Sequence, residues 1–141
     1  MSVIDNAIAN LQDKILACTT VTIRQAPDYP VPDATMLPIA ITHLTNGEVT
    51  ASNGSMTKFL ITAQVDVHFA RNSIKDAYQK IDALAIEFLQ RLAGDPTLGG
   101  TVETVVFPVL FDVSPTQWDN VATQMISFTV QFKGLLTPIT A

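Results

Sequence analysis

The residues best suited to chemistry are Asp66 and His68, two positions apart in TAQVDVHFAR. In an extended chain that spacing puts both side chains on one side. His43 ends an earlier alternating run and can come near them. A carboxylate with two imidazoles can hold a transition metal or move protons. The competing reading is a row of solvated side chains on the outer side of a sheet. No third and fourth ligands follow at metal-like spacing, so the solvated row is preferred, and no metal, cofactor or catalytic group is expected. Cys18 closes a helical stripe and reads as a small buried hydrophobe. Gly99-Gly100 follows a helical pattern and precedes a strand, whereas a phosphate loop places its glycines before a helix N-terminus. The sequence contains no Gly-x-Ser-x-Gly elbow, His-Glu-x-x-His pair or paired-cysteine motif. The reading is therefore of a protein that is not an enzyme.

Residues 57–94 position the Asp66–His68 pair, and the chain is organised around them. Phe59, Ile61, Ala63, Val65, Val67 and Phe69 alternate with Lys58, Thr62, Gln64, Asp66 and His68. That period predicts a long strand with one buried and one wetter face. The period then changes. Ile74, Tyr78, Ile81, Ala85, Phe88 and Leu92 recur at steps of four and three, which predicts a helix. Ser73 is the expected N-cap, with Asp76 in the electropositive first turn. Gly94 is expected to close the helix in the left-handed conformation, before Asp95-Pro96 forbids continuation. Asp76–Lys80 and Glu87–Arg91 have the i,i+4 spacing of exposed ion pairs.

Residues 2–17 predict a first helix, with Ile4, Ile8, Leu11 and Ile15 as its stripe and Ser2 and Asp5 at its cap. Residues 20–24 are short and β-branched and predict a strand. Pro27, Pro30 and Pro32 make residues 25–36 an irregular connection, with Tyr29 over apolar surface. Residues 37–44 alternate again, Leu37, Ile39 and Ile41 inward, and Pro38 places the strand start or a sheet edge there. Residues 45–56 contain two Asn-Gly steps and predict a mobile hairpin tip. Asn53-Gly54-Ser55 also matches a glycosylation acceptor, but reads as a turn. Residues 95–101 predict a compact turn. Residues 102–113 predict a strand with Val105, Phe107, Val109, Phe111 and Val113 on one face. Residues 114–120 predict a loop holding Trp118, beside Asp119. Residues 121–133 predict a last strand with Ile126, Phe128, Val130 and Phe132 inward, and residues 134–141 a short tail. The expected fold is one α+β domain over residues 1–141, a two-layer sandwich of mostly antiparallel sheet under two helices, in the order α-β-β-β-α-β-β.

Composition narrows the function. Of 141 residues, 48% are hydrophobic and only 15% charged, against about a quarter in ordinary soluble domains. Bare apolar surface covered by copies of the chain is the plain explanation. The net charge of −5, without a basic cluster, argues against tight binding to nucleic acid. No run approaches the roughly 20 apolar residues that span a bilayer, so no membrane is expected. The N-terminus lacks a secretory pattern and Cys18 is alone, which points to a reducing cytoplasm.

One segment carries a resemblance. In RNSIKDAYQKIDALAIEFLQRLAGDPTLGGTV, residues 71–102, a strand ends in Arg71, a helix opens on Ser73, and Gly94-Asp95-Pro96-Thr97-Leu98-Gly99-Gly100-Thr101-Val102 follows. This resembles the tail terminator, or tail completion, proteins of tailed bacteriophages. The flanks agree: an N-terminal helix, Tyr29-Pro30 before Leu37-Pro38, a long hairpin, and a last strand of the 128–133 kind. The resemblance implies a structural virion protein of the head–tail neck. It implies a hexameric ring on the last ring of the tail tube protein, assembled in the host cytoplasm. That ring ends tube growth and docks the head-side connector, and viral DNA passes through its bore without specific binding. Asn46, Gly47, Glu48, Asn53, Gly54 and Trp118 are the candidate contacts between subunits or rings. The alternatives are another connector ring of the neck and, in a different class, a small α+β metal- or ligand-binding domain using Asp66 and His68.

Overall fold

The computed structural model describes residues 2–27, 37–51, 57–71, 73–118 and 121–136. Its elements run α1 (Val3–Leu16), β1 (Ile39–Ala51), β2 (Thr57–Ala70), α2 (Ile74–Gly94), β3 (Thr104–Trp118) and β4 (Val121–Leu136). The order is α-β-β-α-β-β. The strands make one antiparallel sheet in the order β1-β2-β4-β3, so β2 and β4 are central and β1 and β3 are edges. Among the described residues no helix is long and apolar enough to cross a membrane.

The caps form as the spacing predicts. The Ser2 hydroxyl accepts from the Asp5 N–H at 3.0 Å while the Asp5 carboxylate accepts from the Ser2 N–H at 3.4 Å. Ser73 accepts from the Asp76 N–H at 3.3 Å. Each satisfies helix donors that have no intrahelical partner. α1 packs on β1 and α2, and α2 on β4. The core joins Ala7, Ile8, Leu11 and Ile15 of α1 to Ala77, Ile81, Leu84, Phe88 and Leu92 of α2. Beneath them lie Phe59 through Phe69 of β2 and Ile126, Phe128, Val130 and Phe132 of β4, at alternate positions. The rings of Phe88 and Phe128 meet at 4.7 Å, tilted by 58°.

Several expectations change. Residues 20–24 form no strand. Val21 and Ile23 are buried as their alternation implies, but among the described residues the segment makes only an isolated parallel bridge, Gln25 to Ile39, with flanking backbone bonds at Arg24 and Pro27. Pro27, two residues on, has no N–H with which to extend it. Ile39 and Ile41 are buried, yet opposite His68 and Asp66, so they lie on the face away from the helices; Ala40 holds the core position. Ile74 and Tyr78 are exposed, and Ala77 and Leu84 take their places against the sheet. Gly94 is not left-handed. The helix is capped by Asp95 at φ −147°, and the positive φ values fall at Leu98, Gly99 and Gly100.

The hairpin also differs from the expected tip. Asn46, Gly47 and Glu48 are strand residues of β1, paired with Thr62, Ile61 and Leu60. The irregularity is a bulge between Leu44 and Asn46, where the Thr45 hydroxyl donates to the Thr62 carbonyl at 3.0 Å. A Cβ at Gly47 would sit 2.5 Å from Ile61 Cδ1, so the end of that side chain would have to move to admit one. The expected loop at 114–120 is strand as far as Trp118, whose backbone pairs with Val121, and β4 continues to Leu136. The readings of Tyr29, Pro30, Pro32, Asn53, Gly54 and Asp119 lie outside the described residues, as does the side chain of Trp118.

Candidate functional site

Strand register brings the three chemistry-bearing residues onto one sheet face. Ile41 of β1 lies opposite Asp66, His43 opposite Gln64, and Ile39 opposite His68. On the other side Asp66 faces Ser127 of β4. His43 Nε2 stands 4.0 Å from Asp66 Oδ2. The other Asp66 oxygen accepts the Ser127 hydroxyl at 2.6 Å, and Ser127 Oγ in turn accepts from Gln64 Nε2 at 2.8 Å. Farther along, Gln131 Nε2 donates to the Thr62 hydroxyl at 3.4 Å. The face is a hydrogen-bonded polar track that is partly buried: Thr62, His68 and Ser127 are under one-tenth exposed, while His43, Gln64 and Asp66 are half-buried.

This track has the residue types of a nucleophilic triad in the wrong order. A triad places imidazole between hydroxyl and carboxylate, so that the base takes the hydroxyl proton. Here the carboxylate stands in the middle, and Ser127 donates to it instead of to His43. His68 is also committed elsewhere. Its Nδ1 lies 2.9 Å from the Thr123 hydroxyl, and burial pulls its pKa below the usual value, against the opposing pull of Asp66. A neutral ring in such a setting is a packed hydrogen-bonding group. Among the described residues no cluster of three or more His, Cys, Asp or Glu could hold a metal ion. Cys18 is buried, and desolvation, with the nearby Glu87 charge, pushes its thiol up to about 11. At neutral pH it is not a nucleophile.

The turn after α2 is a structural knot. Asp95 accepts from Lys14 Nζ at 2.7 Å and from the Gly99 N–H at 2.9 Å. These bonds, Lys14 first, hold its carboxyl below the usual carboxylate range. The Gly100 N–H bonds back to the Thr97 hydroxyl and carbonyl, each at 3.1 Å. With its amides turned inward, this loop offers an anion no cradle. Gly99, at φ 69°, also lies against α1, where a Cβ would come within 2.8 Å of the Asn10 amide nitrogen.

What sequence reading missed lies on the β3 edge. Phe107, Leu110 and Phe111 are 49%, 64% and 48% exposed. The sequence places Phe107 and Phe111 on one face with Val105, Val109 and Val113. The register slips between Val106 and Leu110, which removes Phe107 from the alternation. Phe111 does lie opposite Phe128, ring centroids 6.0 Å apart, but the helices lie over β1, β2 and β4 and leave it half bare. The signal was available in VVFPVLF: an apolar run on both parities, broken by a proline, belongs to an edge. Asn46, Gly47 and Glu48 are exposed along the bare half of β1 at the opposite edge. The sequence matches no protein-family model and no curated protein.

Proposed function

We propose that this chain is a structural protein of the bacteriophage tail terminator kind. It closes into a hexameric ring on the head-proximal end of a tail tube, ends tube growth by shape, and offers its other side to the head-side connector. Viral DNA passes through the bore, and the ring, assembled in the host cytoplasm, stays in the virion neck. The resemblance over residues 71–102 supports this reading, and the exposed apolar side chains of the β3 edge carry it: Phe107, Leu110 and Phe111, the last two on opposite faces of the sheet. These side chains lie at one sheet edge, and a different bare surface, the β1 segment around Asn46 to Glu48, lies at the other. Two unlike surfaces on opposite sides suit a head-to-tail contact, which generates a ring when its rotation closes.

The test is the mass of the purified protein, alone and with isolated tail tubes. A ring, or a monomer that caps tubes, supports the reading. A monomer at every concentration that also leaves tubes unbound refutes it. Leu110→Lys keeps its unfolding midpoint, because the side chain is already in water, and loses ring mass or capping. Binding to the head connector but not to the tube would instead identify another ring of the neck.

A further inference from the structure

We infer that residues 19–27 are a latched guard over the outer edge of β1, and that its release opens that edge to a strand of a second copy. This stands apart from the ring reading. β1 is an edge strand, and edge strands left bare template pairing between molecules. The segment leaving α1 enters under α2: the Thr19 N–H donates to both Glu87 carboxylate oxygens at 2.8 Å, and the Thr20 N–H and hydroxyl donate at 2.9 Å. Arg91 of α2 holds the same carboxylate at 3.0 Å, and the neutral Cys18 thiol lies within reach of the Glu87 charge. Val21 and Ile23 then dip into the core.

Beyond Ile23 the segment runs along β1. The Arg24 N–H donates to the Pro38 carbonyl at 2.9 Å, Ala40 to Gln25 at 2.9 Å, and Thr42 to Pro27 at 3.0 Å. Gln12 of α1 donates its side-chain amide to the Ala26 carbonyl at 2.9 Å and pins the far end. The guard thus covers the edge amides of Ala40 and Thr42 without being a strand. Where it stops, the Leu44–Asn46 bulge disrupts the edge by a second means. A segment held by three ladder bonds and two side-chain latches is a unit that opens locally before the sheet unfolds.

Amide hydrogen exchange on the full chain tests this, with Gln12→Leu and Glu87→Gln separately and together. The amides of Ala40 and Thr42 should exchange about fivefold faster in each single variant, the ratio that one lost hydrogen bond is worth. Val65 and Val130, in the central strands, should be unchanged. The double variant should reach a larger mass than the wild type at the same concentration, whatever assembly the wild type forms. Unchanged exchange at Ala40 and Thr42, or an acceleration shared equally by Val65 and Val130, overturns the guard. Local acceleration without any gain in mass overturns its role in self-association.

Discussion

Ser127 and Phe128 are neighbours in β4 and point to opposite sides of the sheet, and the two faces they serve are held by different physics. Phe128 lies under Phe88 in a mostly apolar layer, with Thr42 and Gln124 as buried polar residues on the same face. Ser127 joins a chain of directional bonds through Asp66 and Gln64. The apolar face tolerates changes in shape but not in volume. The polar face tolerates little change in donor and acceptor placement, because a buried polar group without a partner costs more than its bond returns. This contrast sets Asp66, Ser127 and Gln64 side by side as hydrogen-bonded partners on one face. On that face Ser127 bonds Asp66 and Gln64 and His68 bonds Thr123, while His43 Nδ1 is buried with no hydrogen-bond partner among the described residues.

The comparison is most exposed to failure at Phe128. Phe128→Ala should cost about 3–5 kcal/mol in denaturant unfolding, the range for a buried aromatic truncation. A loss below about 1 kcal/mol would mean that the helical layer is not packed on β4 as described. Ser127→Ala should cost less, about 1–3 kcal/mol, because it strands one oxygen of Asp66 and the amide of Gln64. A neutral Ser127→Ala would show that water replaces the hydroxyl, and the polar face would then be open.

The smallest effect sits at the rim of the helical layer, where Glu87 meets Thr19 and Thr20. Burial works against its ionised form, but hydrogen bonds from Thr20, Thr19 and Arg91 outweigh it and hold its pKa at about 2, below the ordinary 4.5. The folded chain therefore binds this proton less readily than the unfolded chain does. The stabilisation is complete above about pH 4.5 and is lost as pH falls toward 2. After allowance for solvent screening it amounts to about 1–2 kcal/mol. Unfolding followed from pH 6 to pH 2 should show that slope in the wild type and lose part of it in Glu87→Gln. Parallel curves would remove Glu87 from the account.

Much of the fold was legible because burial imposes a period. The β2 and β4 alternation and the stripes from Ile8 to Ile15 and from Ile81 to Leu92 name the core almost residue by residue. The Ser2 and Ser73 caps were readable for a similar reason, since the bond they make spans three residues of sequence. Legibility failed at the margins of elements. Ile39 and Ile41 alternate correctly, but alternation does not say which face is inward when both are partly buried. Residues 20–24 alternate because they lie extended against the core, which requires no strand partner.

The polar track was half visible. Asp66 and His68 could be paired from spacing, and His43 was suspected, but Ser127 and Gln64 had no local mark. Their partners are 61 and 63 residues away in the chain. Sequence alone determined what each segment buries and where helices begin, since those are local competitions between side chain, backbone and water. Only the tertiary structure decided that the carboxylate stands between hydroxyl and imidazole, that Glu87 receives the Thr19 and Thr20 amides, and that Phe111 of β3 is left half bare. Each of these depends on strand register and on the placement of one layer over another, and periodicity along the chain carries no information about either.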